Sequence, residues 1–406
     1  MNLLRLARDR IQPLTAPVTV ANDRCSGGVR YQDGVAITAI QLIGKPHRAT
    51  MLIGATMSQT ENTLDLSSLL AVLRTNLGMT FESASVVSAG ARRRSSGDYP
   101  RVYDTFIGTS PYAGHRESWL LVRINACDNA DSIRLRATVG AAVLAATQRV
   151  ASALSCNGIR ARVATATEIA DLDRRLEVGC LTSYGLKSLG ADGLAMPWSL
   201  RVDRVITNHT LFPDATVAST VTIGTPQPPP VTPSTALQPF PLQQKQLLRG
   251  HQCGPRPRLR GLARRTLPLS MSVPLGSSGV LLGRVAIGDR LLMPLDHPGG
   301  HSHVHIAADD AIAKRIVVRT VAAGGDVTVN TPHPDRWDNL RMPNLLVADQ
   351  PRNTRPGTAI SVGEIPPGAV DVAIIQTGPA TVSVRTADRV HEVEVDFFRA
   401  ENRYAA

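Results

Sequence analysis

The sequence predicts a mixed α/β fold in two regions joined by a proline- and arginine-rich linker. Three observations lead there. Segments rich in β-branched residues alternate with helical segments of roughly 10–25 residues, a pattern that favours mixed layers over all-α or all-β folds. Hydrophobic residues make up 43% of the 406 positions and charged residues 19%, which is enough apolar material for a real core. Seven prolines then fall between Thr225 and Pro241, where they interrupt the pattern and favour extended, unpaired backbone.

The elements follow in order. Residues 1–25 read as a basic arm: short apolar residues lie between arginines, with Pro13 and Pro17 behind them. Residues 26–224 read as the first α/β region. Val35–Ile43 has the β-branched texture of a strand. Asp65 is placed to cap a helix over Leu66–Leu77 that Gly78 ends. Phe81–Ala89 and Trp119–Ile124 read as strands, and Arg134–Cys156 as one long alanine-rich helix stopped by Asn157-Gly158. A short strand over Ile159–Ala164, a helix over Thr167–Leu176 and strands near Trp198–Thr207 and Ala215–Ile223 follow. Residues 225–268 read as the linker. Residues 269–406 read as a C-terminal α/β region. Strands are expected there at Val280–Ile287, Arg290–Leu295 and His301–Ala307. A helix capped by Asp309 or Asp310 runs to Ala323, and strands lie over 326–330, 344–348, 369–376, 380–386 and 391–397.

The charge is +11, and its placement limits what it means. Lys245–Arg265 holds seven basic residues and no acidic one. Met1–Arg30 holds five arginines against Asp9 and Asp23. The remainder is close to neutral, so the excess sits in arm-like and linker-like segments. A specific nucleic-acid surface is not predicted, because base-reading elements and interleaved aromatics are missing from 245–265. Five scattered cysteines, without a CxxC pair, suit a reducing compartment. No window of eighteen residues is continuously apolar, so no membrane-spanning helix is expected in the chain as written.

Few motifs carry chemistry. Gly185-Leu-Lys187-Ser188 ends like a phosphate-binding loop, but Cys180 stands where the first glycine is needed. Gly276-Ser-Ser-Gly279 lacks the spacing of a nucleophile elbow and reads as a turn. Arg92-Arg-Arg94 reads as a solvated loop. The sharpest local signal is histidine. His301, His303 and His305 alternate along a strand and therefore share one face. Imidazoles so placed could share a zinc or nickel ion with Asp296, Asp309 or His333 as a further ligand. A metal-dependent enzyme or metal-binding protein on this strand is the alternative functional reading. The bland one is a solvent-facing strand. No local spacing suggests a catalytic triad or paired carboxylates, and no cofactor is expected.

An ordered series of apolar motifs resembles the EccE family of type VII (ESX) secretion systems in actinobacteria. It runs through Ala36-Ile-Thr-Ala-Ile-Gln41, Leu69-Leu-Ala-Val-Leu73, Val86-Val-Ser-Ala-Gly90, Tyr99-Pro-Arg-Val-Tyr103, Gly108-Thr-Ser-Pro111 and Arg116-Glu-Ser-Trp-Leu-Leu-Val-Arg123. It resumes with Leu281-Leu-Gly-Arg284, Gly288-Asp-Arg290, Met293-Pro-Leu295 and Val318–Gly325. The resemblance implies a non-catalytic subunit of a membrane complex, working beside EccB, EccC and EccD, with ATP hydrolysis belonging to EccC. It also implies a place on the cytoplasmic side of the membrane. The family carries two transmembrane helices ahead of its cytoplasmic region, and the chain as written shows neither. Its arm would then correspond to the stretch just after them, with Arg5, Arg8 and Arg10 against anionic lipid.

Overall fold

The computed structural model describes residues 12–22, 25–94, 97–134, 136–176, 181–187, 204–224, 236–297, 300–349, 357–364 and 368–405. Arg5, Arg8 and Arg10, the prolines from 226 to 233, and the 198–203 part of one expected strand lie outside these residues.

In chain order the first strands are β1 (Val18–Ala21), β2 (Ser26–Gln32), β3 (Val35–Leu42), β4 (Thr50–Ile53), β5 (Met57–Thr60), β6 (Thr63–Asp65), β7 (Ser83–Ala91) and β8 (His115–Asn125). The middle ones are β9 (Ala161–Val163), β10 (Leu181–Leu186), β11 (Arg204–Leu211), β12 (Thr216–Gly224), β13 (Leu237–Pro239), β14 (Arg265–Thr266) and β15 (Ser272–Pro274). The last are β16 (Val280–Arg284), β17 (Arg290–Met293), β18 (His301–Ala307), β19 (Val327–Asn330), β20 (Leu345–Ala348), β21 (Gly357–Val362), β22 (Val372–Gln376), β23 (Thr381–Arg385) and β24 (Val390–Glu394). The helices are α1 (Leu66–Asn76), α2 (Tyr99–Ile107), α3 (Ala130–Arg134), α4 (Val139–Cys156), α5 (Ala166–Leu176), α6 (Gln244–His251), α7 (Asp310–Ala323) and α8 (Asn402–Ala405).

The first large sheet is antiparallel and runs β1-β2-β3-β8-β7-β11-β12-β10-β13, with β9 beside β3 and β14 beside β12. Strands β3 and β8 are buried on both faces and carry nearly continuous apolar runs, Val35–Ile40 and Trp119–Val122. In β3, Ala36, Ile40 and Leu42 join the core shared with α1 and α4. Val35, Ile37 and Ala39 point the other way, toward α5. The period of two makes that division. Asp65 caps α1 as expected, accepting the Ser68 backbone N–H at 2.7 Å. The long helix is shorter than predicted. Thr138 accepts the Ala141 N–H and opens α4 there, so residues 130–134 form a separate turn. Among the described residues α4 is the one helix long and apolar enough to cross a bilayer, and half of it is buried inside the fold. Here it serves as the core helix under β3.

The second large sheet is mixed and runs β20-β19-β21-β18-β22-β23-β24-β16-β17-β4-β5. Its parallel part is β20 through β22, with α7 as the crossover from β18 to β19. Asp309 caps α7 through the Ile312 N–H at 2.8 Å, and Gly324 ends it at φ 125°. Gly279 begins the hairpin β16–β17 in a position only glycine tolerates. Its φ is 89°, and an added Cβ would lie 2.0 Å from the Met293 carbonyl carbon.

The sheets do not divide at the expected linker. The hairpin β4–β5, from the first region, completes the second sheet through β17. Helix α2, also from the first region, places Tyr99, Tyr103 and Ile107 in the second core beside α7. A small ladder of β6 with β15 ties the halves again. The described part of the linker is folded as well. Strand β13 pairs with β10, and β14 pairs with β12. Leu247, His251 and Cys253 are buried against the first sheet. Composition read this stretch as a linker because it counts prolines and arginines, not the few apolar residues that anchor it.

Candidate functional site

The histidine strand sits in the interior of the second sheet, paired in parallel with β21 and β22. Ser302, Val304 and Ile306 face the core, so the three histidines do share the opposite face, as the alternation requires. They are graded in exposure: His301 is exposed, His303 half-buried and His305 buried. His305 Nδ1 lies 3.0 Å from Ser361 Oγ, and burial lowers its pKa. The backbone N–H of His303 donates to Asp371 at 2.8 Å.

The ligands needed to complete a metal site do not converge. Asp309 is committed to the cap of α7. His333 lies past the carboxyl end of β19, whereas His301 opens β18 at the other end of the sheet. His297 contacts Arg160 of the first sheet's periphery. Among the described residues no three His, Cys, Asp or Glu side chains are grouped to hold one ion. The metal reading of His301, His303 and His305 is therefore corrected. Shared facing was legible in the sequence, but a ligand set needs a third dimension that spacing does not give.

A crevice of about 620 Å³ lies at the carboxyl ends of β18, β19 and β21, against the start of α7. Open parallel sheets commonly take ligands at such a place. Here two of its charged groups partner each other, with Arg336 3.5 Å from Asp310. No glycine-rich motif marks it in the sequence.

Arg92 is not on a solvated loop. It is 0% exposed, and its Nε donates to Asp104 at 2.8 Å. Its other nitrogens donate to the Gly108 and Ser110 carbonyls at 2.7 Å. This arrangement fixes the end of β7 on α2. Two further buried pairs work alike. Arg30 donates to Asp173 at 2.6 Å and to the Cys253 carbonyl at 2.5 Å, joining β2, α5 and the 244–264 segment. Arg319 donates to both oxygens of Glu401 at 2.7 Å, and Tyr99 Oη donates to the same carboxylate at 2.5 Å. Burial alone would lower the Arg319 pKa, but its bonds and attraction to Glu401 outweigh it, so the pKa rises. Burial, then the Glu401 charge, drive the Tyr99 pKa up, which keeps it a hydroxyl donor. Sequence spacing could not reveal these pairs, whose partners stand 12, 143 and 82 positions apart.

Comparison with known proteins supplies the context. Residues 112–182 match the family described as the type VII ESX secretion system translocon EccE. The chain is similar to the ESX-2 secretion system protein EccE2 of Mycobacterium tuberculosis, at 40% identity over 96% of this chain and 84% of the relative. It is also similar to the ESX-1 secretion system protein EccE1 of the same species, at 28% identity over 74% of this chain and 64% of the relative. The EccE1 of Mycolicibacterium smegmatis is 27% identical over 82% of this chain and 70% of its own length.

Proposed function

Since the chain belongs to the EccE family of type VII (ESX) secretion system components, we propose that it is a non-catalytic subunit that supplies protein contacts on the cytoplasmic face of the membrane. The observation that supports this reading is the use the fold makes of its buried charges. Arg30–Asp173, Arg92–Asp104 and Arg319–Glu401 each join elements that are distant in sequence. A catalytic group instead keeps a perturbed side chain aimed at a cleft. These charges hold a scaffold together.

The partners proposed are the EccB-, EccC- and EccD-type subunits of the same system. The test is co-expression of the tagged chain with these three proteins, followed by pull-down in detergent. Joint recovery is expected. A well-folded chain that recovers none of them defeats the proposal.

We also propose that Arg5, Arg8 and Arg10 lie against anionic lipid. Each basic residue near such a surface is worth about 1 kcal/mol. The triple change to glutamine should release the chain from phosphatidylglycerol vesicles at physiological salt. Sedimentation equal to that of the unaltered chain would rule the arm out as the contact.

A further inference from the structure

The 244–264 segment does more than cover the first sheet. Between the two lies a cavity of about 340 Å³. Its floor is polar and comes from adjacent strands. Register places Ser85 of β7 opposite Thr210 of β11, and Asn208 of β11 opposite Thr220 of β12. Arg123 of β8 enters from the side, and Arg256, Arg258 and Arg264 come from the covering segment. Among the described residues no aspartate or glutamate lines the cavity.

Arg123 carries the argument. It is 0% exposed. Its Nε donates to the Gly254 carbonyl and its Nη1 to Ser85 Oγ, both at 2.7 Å. Its Nη2 is buried and has no hydrogen-bond partner among the described residues. Burial lowers its pKa to about 10. Glu82 attracts it only at a distance, and a buried cation with no carboxylate bonded to it is costly unless something supplies the missing charge. Its neighbours are already fixed. Ser85 and Thr210 hydroxyls are 2.9 Å apart, Thr210 donates to Asn208 Oδ1 at 3.1 Å, and Asn208 Nδ2 donates to the Gly250 carbonyl at 2.7 Å. The guanidinium is thus held in place before any ligand arrives. Arg256 lies 3.8 Å from Glu82, which does not line the cavity. Arg264 stacks 3.6 Å over the Phe212 ring, and both Arg258 and Arg264 are exposed at the rim.

We infer that this cavity is a binding site for a small phosphate-bearing anion. Planar guanidinium forks converging from a sheet and a covering segment suit a tetrahedral, multiply charged acceptor. Thr220, also on the floor, carries a further hydroxyl. The volume exceeds the need of a lone inorganic ion and falls at the low end for organic ligands. Leu247 and Leu262 give the wall apolar surface for the organic part. The site stands independently of the partners proposed above.

The test is calorimetric titration of the full chain with inorganic pyrophosphate at physiological salt, with citrate as the carboxylate control. Saturable binding at one site is expected, with citrate weaker by about tenfold or more. Arg123→Gln should weaken pyrophosphate by a similar factor. The rim pair Arg258→Glu and Arg264→Glu, on exposed positions, should do the same. Vesicles of phosphatidylglycerol in phosphatidylcholine form the second arm, run with Arg5, Arg8 and Arg10 changed to glutamine. Vesicle binding displaced by pyrophosphate would support the site and identify the phosphate as a lipid headgroup. Pyrophosphate binding without vesicle binding would support it and identify a soluble ligand. The inference falls if neither pyrophosphate nor vesicles bind, or if citrate binds equally well. It also falls if the folded Arg123→Gln chain binds as the unaltered one does, because the attraction would then be a surface field.

Discussion

Glu401→Ala is expected to destabilise the fold by about 3–5 kcal/mol, the range for a buried ion pair that loses one partner. One carboxylate holds three elements. It accepts both bonds from Arg319 on α7, the hydroxyl of Tyr99 at the start of α2, and the Phe398 backbone N–H at 3.4 Å. Arg315 stands a further 3.6 Å away. Removing it strands a guanidinium that is 0% exposed and a buried hydroxyl. Neither can reach water without opening the second core. Urea unfolding measures the loss. The double change Arg319→Met with Glu401→Met should recover much of it, because the desolvation cost goes with the charges. A loss below about 1 kcal/mol for Glu401→Ala, the size of an ordinary hydrogen bond, would show that the pair holds nothing.

How much of this was legible in the sequence depended on whether the cause was local. The capped helices were readable because Asp65 and Asp309 act on backbone three residues away. Strand β18 was readable because its alternation is its own. Helix α2 was not. Tyr99-Pro-Arg-Val-Tyr-Asp-Thr-Phe-Ile107 is made largely of strand formers. It is a helix because Tyr99, Tyr103 and Ile107, four residues apart, fit one buried stripe in a core whose other wall lies some 200 positions on. The hairpin β4–β5 finds its partner β17 equally far away. Tertiary context decided both.

The same limit governed the sites. The shared face of the three histidines followed from a period of two, whereas the missing further ligand did not. Arg123 left a trace that went unread: a charged residue inside Trp119-Leu-Leu-Val-Arg-Ile124, a strand otherwise suited to a two-sided core. An arginine in such a run must be paired or must face a cavity. The basic 245–265 stretch was the other half of that cavity. Nothing in the sequence joined them, because β-sheet register and the anchoring of Leu247 and Cys253 bring them together.

Acidification should destabilise the chain well above the range in which ordinary carboxylates protonate. His209 on β11 and His251 at the end of α6 are both buried in the first sheet's layers. His209 Nδ1 lies 2.8 Å from Ser219 Oγ, and His251 Nε2 lies 2.7 Å from Thr222 Oγ1. Burial lowers their pKa values to about 4 and about 3, with the Arg204 charge adding to the shift of His251. In the unfolded chain both titrate near the ordinary value of about 6.5. Between those limits the unfolded state binds more protons, so stability rises with pH and is lost as pH falls. The loss begins near pH 6.5 and continues toward pH 4. Each histidine costs about 1.4 kcal/mol per pH unit in that window, or roughly 3 kcal/mol for the two at pH 5.5. Urea midpoints measured from pH 7.5 to 5 give the slope directly. His209→Gln with His251→Gln keeps a polar partner for each hydroxyl and removes their titration, so its slope above pH 5 should be clearly shallower, with the remainder left to His47, His305 and His391, whose pKa values burial also lowers. A double variant as steep as the unaltered chain would place the acid sensitivity elsewhere, because only groups whose pKa differs between folded and unfolded chain can tilt the curve.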